Sequence, residues 1–401
     1  MNSSEARPAA AAYAFDLPDR LIAQVPTEDR ASSRLLLVDR GRGVRGEARF
    51  RELPEILEPH DLLVVNDSRV LPARLRLRRD PEGGRVELLL VRPRGDGTWL
   101  AMARPARRLR PGSRLLTLTG DERPDTIEIV NVLDAGYVVV GAPTGTVPAV
   151  AARAGETPLP PYIRRDPQSA DYAALSAMDR RRYQTVYATA EGSVAAPTAG
   201  LHFDEALLDA LAARGVAMAG VTLHVGPGTF RPPAAADMRA RRLHEEFFTY
   251  TAATDAAVAA TRARGGRVIA VGTTALRVLE TVARLRLADR ADARAEWPDD
   301  ATQRPVFAGT ARREAAGWCV TGLTRLFVMP PDEIAVADGL ITNFHLPGSS
   351  LLMLIAAYAG VDVWREVYGH AIEAGYRFYS YGDAMLVMTA GGVPGEARRD
   401  E

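Results

Sequence analysis

The sequence predicts an α/β protein whose main domain is interrupted by a small inserted all-β barrel. Three observations carry this expectation. Beyond about residue 200, short apolar strands alternate with amphipathic helices, which is the pattern of an α/β layer architecture. Between residues 71 and 150 no helical period intervenes, and short β-like runs follow one another across Gly, Pro and Asp turns. A buried strand at Leu62–Val65 precedes that stretch, so the α/β pattern stands on both sides of it. The expected boundaries are 13–70 with 151–401 for the α/β domain, 71–150 for the barrel, and a disordered Ala-rich tail over 1–12.

The first strand, Leu62-Leu63-Val64-Val65, ends at Asn66-Asp67-Ser68. Next, Ala73, Leu75 and Leu77 alternate with Arg74, Arg76 and Arg78. Period-two alternation reads as a half-buried strand, here with an Arg-lined solvent face. Val86–Val91, Trp99–Ala103, Arg114–Thr119, Thr126–Val132 and Tyr137–Val140 complete the barrel. A helix then starts at Asp204-Glu205, runs through Leu207, Leu208 and Leu211, and closes at Gly215. Strand Val216–Val225, helix Thr254–Arg264 stopped by Gly265-Gly266, strand Val268–Val271 and helix Ala275–Leu287 follow. Residues 288–305, rich in Asp, Arg and Pro, read as a surface loop. The chain continues with strand Leu340–Asn343, helices Ser350–Tyr358 and Val363–Ala374, and strand Ala384–Met388.

Composition excludes several classes. With 401 residues, 47% hydrophobic and 25% charged, the chain is globular rather than disordered or fibrous. Its longest uncharged apolar run, Leu351–Val361, falls short of the ~20 residues a membrane helix needs. The N-terminus lacks the basic start and apolar core of a signal peptide. A single cysteine, Cys319, excludes an internal disulfide framework and a thiolate zinc site. A cytoplasmic location is expected. All fifty basic residues are Arg, which excludes a lysine Schiff base and a phosphate-binding P-loop lysine. Fifty acidic residues bring the net charge to zero, but residues 71–115 hold twelve Arg against four acids. Clustered Arg attracts a polyanion whatever the net charge.

Three groups of residues are candidates for chemistry. Strand Val268–Val271, the turn Gly272-Thr273-Thr274 and the following helix form an anion-type site, with free amides at a helix N-terminus. Arg277, one turn in, either adds a bond to that anion or pairs with Glu280 at i, i+3, and Thr274 either serves the anion or caps the helix. The turn from His224 through Gly226 and Gly228 to Thr229 lacks the third glycine of a dinucleotide fingerprint, and reads as a rigid turn that lets a ligand approach the backbone. His202, His224, His244, His345 and His370 sit in unusual local sequence, without a metal-binding spacing. Ser193 lies outside any Gly-x-Ser-x-Gly elbow, so a serine hydrolase is not supported.

Taken together, a series of segments resembles the S-adenosylmethionine:tRNA ribosyltransferase-isomerase family of queuosine biosynthesis. They are Phe15–Pro18 with Leu21–Gln24, Ser33–Leu36, Asn66–Val70, Pro72–Arg74, Pro160–Ile163, Tyr183–Ala188, Gly192–Phe203, Thr222–Gly226, Val268–Thr274, Thr342–Pro347 and Tyr379–Met385. They run in order from about residue 13 to 388. The resemblance implies an α/β domain carrying an inserted barrel. It also implies transfer of the ribosyl part of S-adenosylmethionine to 7-aminomethyl-7-deazaguanine at the tRNA wobble position, with isomerisation to epoxyqueuosine and release of adenine and methionine. No metal and no cofactor beyond that co-substrate is implied, and the partner is tRNA, met by a monomer away from membranes. The general acid–base candidates are His202, His224, His345 and Asp383. Substrate-binding candidates are Asn66, Arg69, Tyr183, Gln184, Ser193, Thr198, Gly226, Gly228, Gly272, Thr273, Thr274, Arg277, Asn343 and Tyr381. Arg76, Arg78, Arg107 and Arg108 are the tRNA-binding candidates. Four positions depart from the family's usual pattern: Arg241 for His, Ala275 for Ser, Ser350 for Thr and Pro331 for Gly. The alternative is a non-catalytic or substrate-altered relative that keeps the fold and binds RNA through the Arg-rich barrel.

Overall fold

The computed structural model describes residues 9–81, 83–118, 124–230, 232–285, 293–295 and 306–389. Residues 1–8 of the expected tail, and 288–292 with 296–305 of the expected loop, lie outside the described residues. Ala9–Tyr13 is a 3-10 turn rather than a disordered stretch, because the Tyr13 ring stacks on Trp364 at 5.8 Å. Residues 293–295, inside the expected loop, form strand Ala293–Ala295 at a sheet edge.

The main domain is built on an eleven-stranded sheet. Its centre is four parallel strands in the order Ala217–Leu223, Leu62–Asn66, Val268–Val271 and Gly339–Asn343. These strands are continuous apolar runs because both faces are covered. Leu62, Val64, Val268, Ala270 and Leu340 point into one core, and Leu63, Val65, Ile269, Val271 and Ile341 into the other. Helices Ala252–Ala263, Thr273–Arg284, Ser350–Ala359 and Val361–Glu373 contribute to the first core. Helix Glu205–Ala213 contributes to the second. Ala384–Met388, Arg34–Asp39 and Gly43–Arg49 extend one side of the sheet, and Arg242–Tyr250, Gly317–Leu326 and Phe307–Glu314 the other.

Six strands close the barrel: Arg74–Asp80, Arg85–Pro93, Trp99–Arg104, Tyr137–Gly141, Thr126–Val132 and Arg114–Thr117, the last pairing back onto the first. The unit reaches past residue 150. Helix Val147–Ala154 sends Val147, Val150 and Ala151 into the barrel core, and Gly155–Glu156 pairs with Leu75 and Arg74. The Arg face of the first strand is only partly open. Arg78 is exposed, whereas Arg74 donates to the Leu159 carbonyl at 3.0 Å and Arg76 pairs with Glu156 at 3.0 Å. Residues 156–172 thus cover the end of the strand nearest the main domain. Arg107 and Arg108 are exposed. No helix of the described residues is long and apolar enough to cross a membrane.

Candidate functional site

The four central parallel strands end together, at Leu223, Asn66, Val271 and Asn343. In open α/β sheets the crevice outside the carboxyl ends of the strands is where ligands bind. A cleft lies there, lined by Ala195–Ala199, Val225, Thr229, Gly272–Thr274, Thr342–Leu346, Leu351 and the ring pair Tyr162 and Tyr379 with Ser380. The two rings are 4.6 Å apart, and Tyr379 holds a φ of 71°. A left-handed backbone is costly for a bulky residue. A broader cleft flanks the other side of the Gly226–Thr229 turn. Barrel residues Arg92, Leu100 and Tyr137 line it together with Gly226–Gly228, His244 and Arg325 of the main domain.

Gly272 caps the helix with a φ of 90°, which favours glycine, and the helix begins at Thr273 rather than Ala275. Thr274 is not the cap, since its hydroxyl accepts from Asn66 Nδ2 at 3.1 Å. Asn66 also donates to the Leu223 carbonyl at 3.0 Å and accepts from the Leu223 and Ser68 amides, so it ties strand ends together and has no free group. Ser193 is a similar joint, donating to Ala195 O at 2.7 Å and accepting from Val225 N at 3.0 Å.

Arg277 takes neither of its expected roles. It is 4% exposed and does not line the cleft. Its partner is Glu246, thirty-one residues back in the sequence, and it also donates to the Leu326 carbonyl at 3.2 Å. Glu280 instead accepts from the amides of Ala335 and Val336. Glu246 Oε1 receives the Gly226 amide at 2.9 Å and the Thr229 hydroxyl at 3.4 Å, with His244 Nε2 at 3.3 Å. Burial alone would raise the Glu246 carboxyl, but Arg277, His244 and the Gly226 amide outweigh it and hold it at about 2. This ion pair braces the turn between the two clefts. Gly228 lets His244 approach the turn: a Cβ there would lie 2.5 Å from the imidazole.

The structure separates the four acid–base candidates. His345 lines the cleft, with Nε2 2.8 Å from Thr342 Oγ1, and burial lowers its pKa to about 3. His202 is buried behind Asn343, between Ser33 Oγ at 2.7 Å and Asn343 Nδ2 at 3.1 Å, and stacks on Phe50. Burial, with Arg30 and Arg377 adding to it, lowers its pKa to about 3. His224 stacks on Phe247 at 5.8 Å, and burial lowers its pKa as well. Asp383 accepts the backbone amides of Arg34 at 2.9 Å and Arg377 at 2.8 Å, which makes it a clamp between loops. Of these four residues only His345 is in the cleft.

Several binding candidates make their contacts within the protein. Tyr183 is buried edge-on against Tyr381, whose hydroxyl donates to Asp179 at 2.9 Å. Gln184 pairs with the backbone of Val70, and Arg69 donates to the Ala188 carbonyl. Thr198, Gly272, Thr273, Thr274 and Asn343 do line the cleft. Residues missed from the sequence are Tyr162, Tyr379, Ser380 and Thr229; the Tyr379–Met385 segment was one available signal. Two departures meet in space: Arg241 pairs with Asp332 at 2.6 Å and donates to the Met329 carbonyl at 3.0 Å, holding the turn that contains Pro331. Ala275 is fully buried in the first core. Among the described residues no three His, Cys, Asp or Glu side chains gather as a metal site.

The neutral histidines carry a pH dependence of stability. An unfolded histidine titrates near ~6.5, whereas His202 and His345 stay neutral in the fold down to about 3. Their stabilisation is therefore complete above pH ~6.5 and is lost as pH falls toward 3, at up to about 1.4 kcal/mol per pH unit per ring. Denaturant unfolding at pH 7, 6 and 5 should show this slope. A flat profile would contradict the burial of both rings.

The queuosine biosynthesis protein family matches residues 10–387. An S-adenosylmethionine:tRNA ribosyltransferase-isomerase of Acidithiobacillus ferrooxidans is 48% identical over 382 residues, covering 95% of this chain and 98% of that protein. One of the same name from Ruegeria pomeroyi is 44% identical, covering 94% and 98%. A crystal structure of an S-adenosylmethionine tRNA ribosyltransferase from Thermotoga maritima is 32% identical, covers 94% of this chain and all of that one, and has a TM-score of 0.48. With a match across nearly its whole length and such identity to full-length relatives, the chain belongs to the queuosine biosynthesis protein family.

Proposed function

We propose that this chain is an S-adenosylmethionine:tRNA ribosyltransferase-isomerase acting as a cytoplasmic monomer. It transfers and isomerises the ribosyl group onto 7-aminomethyl-7-deazaguanine in tRNA, releasing adenine and methionine. The observation that carries the reading is the 48% identity over 95% of the chain to a protein of that name. The cleft at the strand ends supports it, since it offers helix amides, an aromatic pair and one imidazole in a single enclosure.

The sulfonium acidifies the ribose C5′ hydrogens. Proton removal there opens the furanose, expels adenine and leaves an aldehyde on a vinyl sulfonium. The tRNA amine adds at C4′, and the regenerated ylide closes on the aldehyde. The resulting alkoxide displaces methionine from C5′ to form the epoxide. In this reading His345 moves the proton. This role takes the tautomer in which His345 Nε2–H donates to Thr342 Oγ1 at 2.8 Å, which leaves Nδ1 as the acceptor. The protonated ring then returns that proton to the departing adenine. The first-turn amides at Gly272–Thr274 suit the methionine carboxylate, and the Tyr162–Tyr379 wall suits a purine. Incubation with S-adenosylmethionine should release adenine only when tRNA bearing the aminomethyl base is present. Adenine release that is absent, or independent of that tRNA, would overturn the reading.

The exposed barrel arginines are proposed to meet tRNA phosphates. Replacing Arg78, Arg107 and Arg108 together by Ala should weaken tRNA binding and flatten its log–log salt slope by about 2–3, at ~0.7–0.9 per contact. Arg76→Ala should act differently, because Arg76 is already paired with Glu156. An unchanged slope in the triple variant would place tRNA elsewhere.

A further inference from the structure

The side-chain amide of Asn343 has one workable orientation. Its Nδ2 lies 3.1 Å from His202 Nε2, 3.2 Å from the Tyr379 carbonyl and 3.4 Å from the Asp383 carbonyl. Turning the amide over would set Oδ1 against two carbonyl oxygens, so Nδ2 is the donor and His202 Nε2 an acceptor. The rest of the relay follows. His202 Nδ1–H donates to Ser33 Oγ at 2.7 Å, and the Ser33 hydroxyl donates to the Arg30 carbonyl at 3.3 Å. Every bond in the series Asn343, His202, Ser33, Arg30 then runs one way.

This leaves Oδ1 of Asn343. It is buried and has no hydrogen-bond partner, although Asn343 lines the cleft and is 2% exposed. Buried acceptors are seldom left unpaired, and each such exception calls for a reason. The neighbouring groups use Nδ2 alone, which leaves Oδ1 unfilled in a residue that lines the cleft.

Resting on the function proposed above, we infer that Asn343 Oδ1 accepts a hydrogen bond from an N–H of the bound S-adenosylmethionine, and that His202 and Ser33 are positioning residues that lock the amide for it. The co-substrate has two such groups, the α-ammonium of its methionine half and the exocyclic amine of adenine. A site built to meet a donor discriminates strongly against an analogue lacking it.

The test measures Kd by calorimetry for S-adenosylmethionine, its des-amino analogue and its 6-oxopurine analogue. The wild-type protein should bind one of the two analogues about tenfold or more weakly than S-adenosylmethionine. The analogue affected identifies the group that Asn343 meets. Asn343→Ala should bind S-adenosylmethionine about tenfold more weakly and lose nothing further with that analogue. His202→Phe keeps a ring against Phe50 but cannot accept from Nδ2; it should raise the KM for S-adenosylmethionine with kcat within about twofold, which a merely structural role would not do. Equal binding of all three ligands by the wild-type protein overturns the inference, and this arm needs no variant to fold. So does an analogue penalty that persists undiminished in Asn343→Ala. Failure of S-adenosylmethionine itself to bind the wild-type protein would instead overturn the functional reading on which the inference rests.

Discussion

Arg277→Ala is expected to cost about 3–5 kcal/mol of folding stability. The substitution leaves the Glu246 carboxylate buried, with the His244 imidazole 3.3 Å away and the Arg277 guanidinium gone. Removing one member of a buried pair is costly because the other charge cannot regain its hydration. Arg277→Met with Glu246→Gln should recover most of the loss, since the amide oxygen of Gln can still accept from Gly226 and no charge is stranded. The carboxylate also adds an acid-labile term. Held at about 2, against ~4.3 in an unfolded chain, Glu246 stabilises the fold above pH ~4.3 and ceases to as pH falls through 2. Unfolding midpoints of the single and double variants at pH 7 check the first part. A loss below about 1 kcal/mol in Arg277→Ala would mean that the pair does not hold the Gly226–Thr229 turn.

His345→Ala carries the largest expected effect on turnover. On the proposed role, kcat falls by about 10²–10⁴, while the Kd for S-adenosylmethionine moves by less than about threefold. Asp383→Asn is the contrast, because the Asp383 carboxylate accepts two backbone amides and Asp383 does not line the cleft. It should lower the unfolding midpoint and leave kcat of the folded fraction within about threefold. Single-turnover adenine release separates the two outcomes. A His345→Ala enzyme with near-normal kcat would remove the imidazole from the chemistry.

The parts of the fold that read well from sequence are those governed by local period. Val268–Val271 followed by Gly272 is a parallel strand feeding a helix, and buried runs such as Leu62–Val65 need no partner to be recognised. Strands with mixed faces were harder. Arg242–Tyr250, Phe307–Glu314 and Gly317–Leu326 carry Arg, Thr and Gly on one side, which masks the alternation, and their burial depends on one another. The helix Val147–Ala154 is short, and only packing reveals that it belongs to the barrel core. At the site, motif residues such as Gly272 and His345 line the cleft, while the partners of others come from far along the chain. Arg277 faces Glu246 across a sheet and a helix, a pairing that no i, i+3 rule contains. His202 and Asn343 are 141 residues apart and meet only because the Thr198–His202 turn packs over the end of Gly339–Asn343.

The central claim is that the ribosyl group, not the methyl group, of S-adenosylmethionine reaches tRNA. It is tested most directly with two labelled co-substrates, one labelled in the ribose and one in the methyl group, incubated with the protein and tRNA carrying 7-aminomethyl-7-deazaguanine. The account predicts that ribose label is retained on the isolated tRNA while methyl label leaves with methionine. Methyl label on the tRNA, or no ribose label there despite bound tRNA and co-substrate, would contradict it.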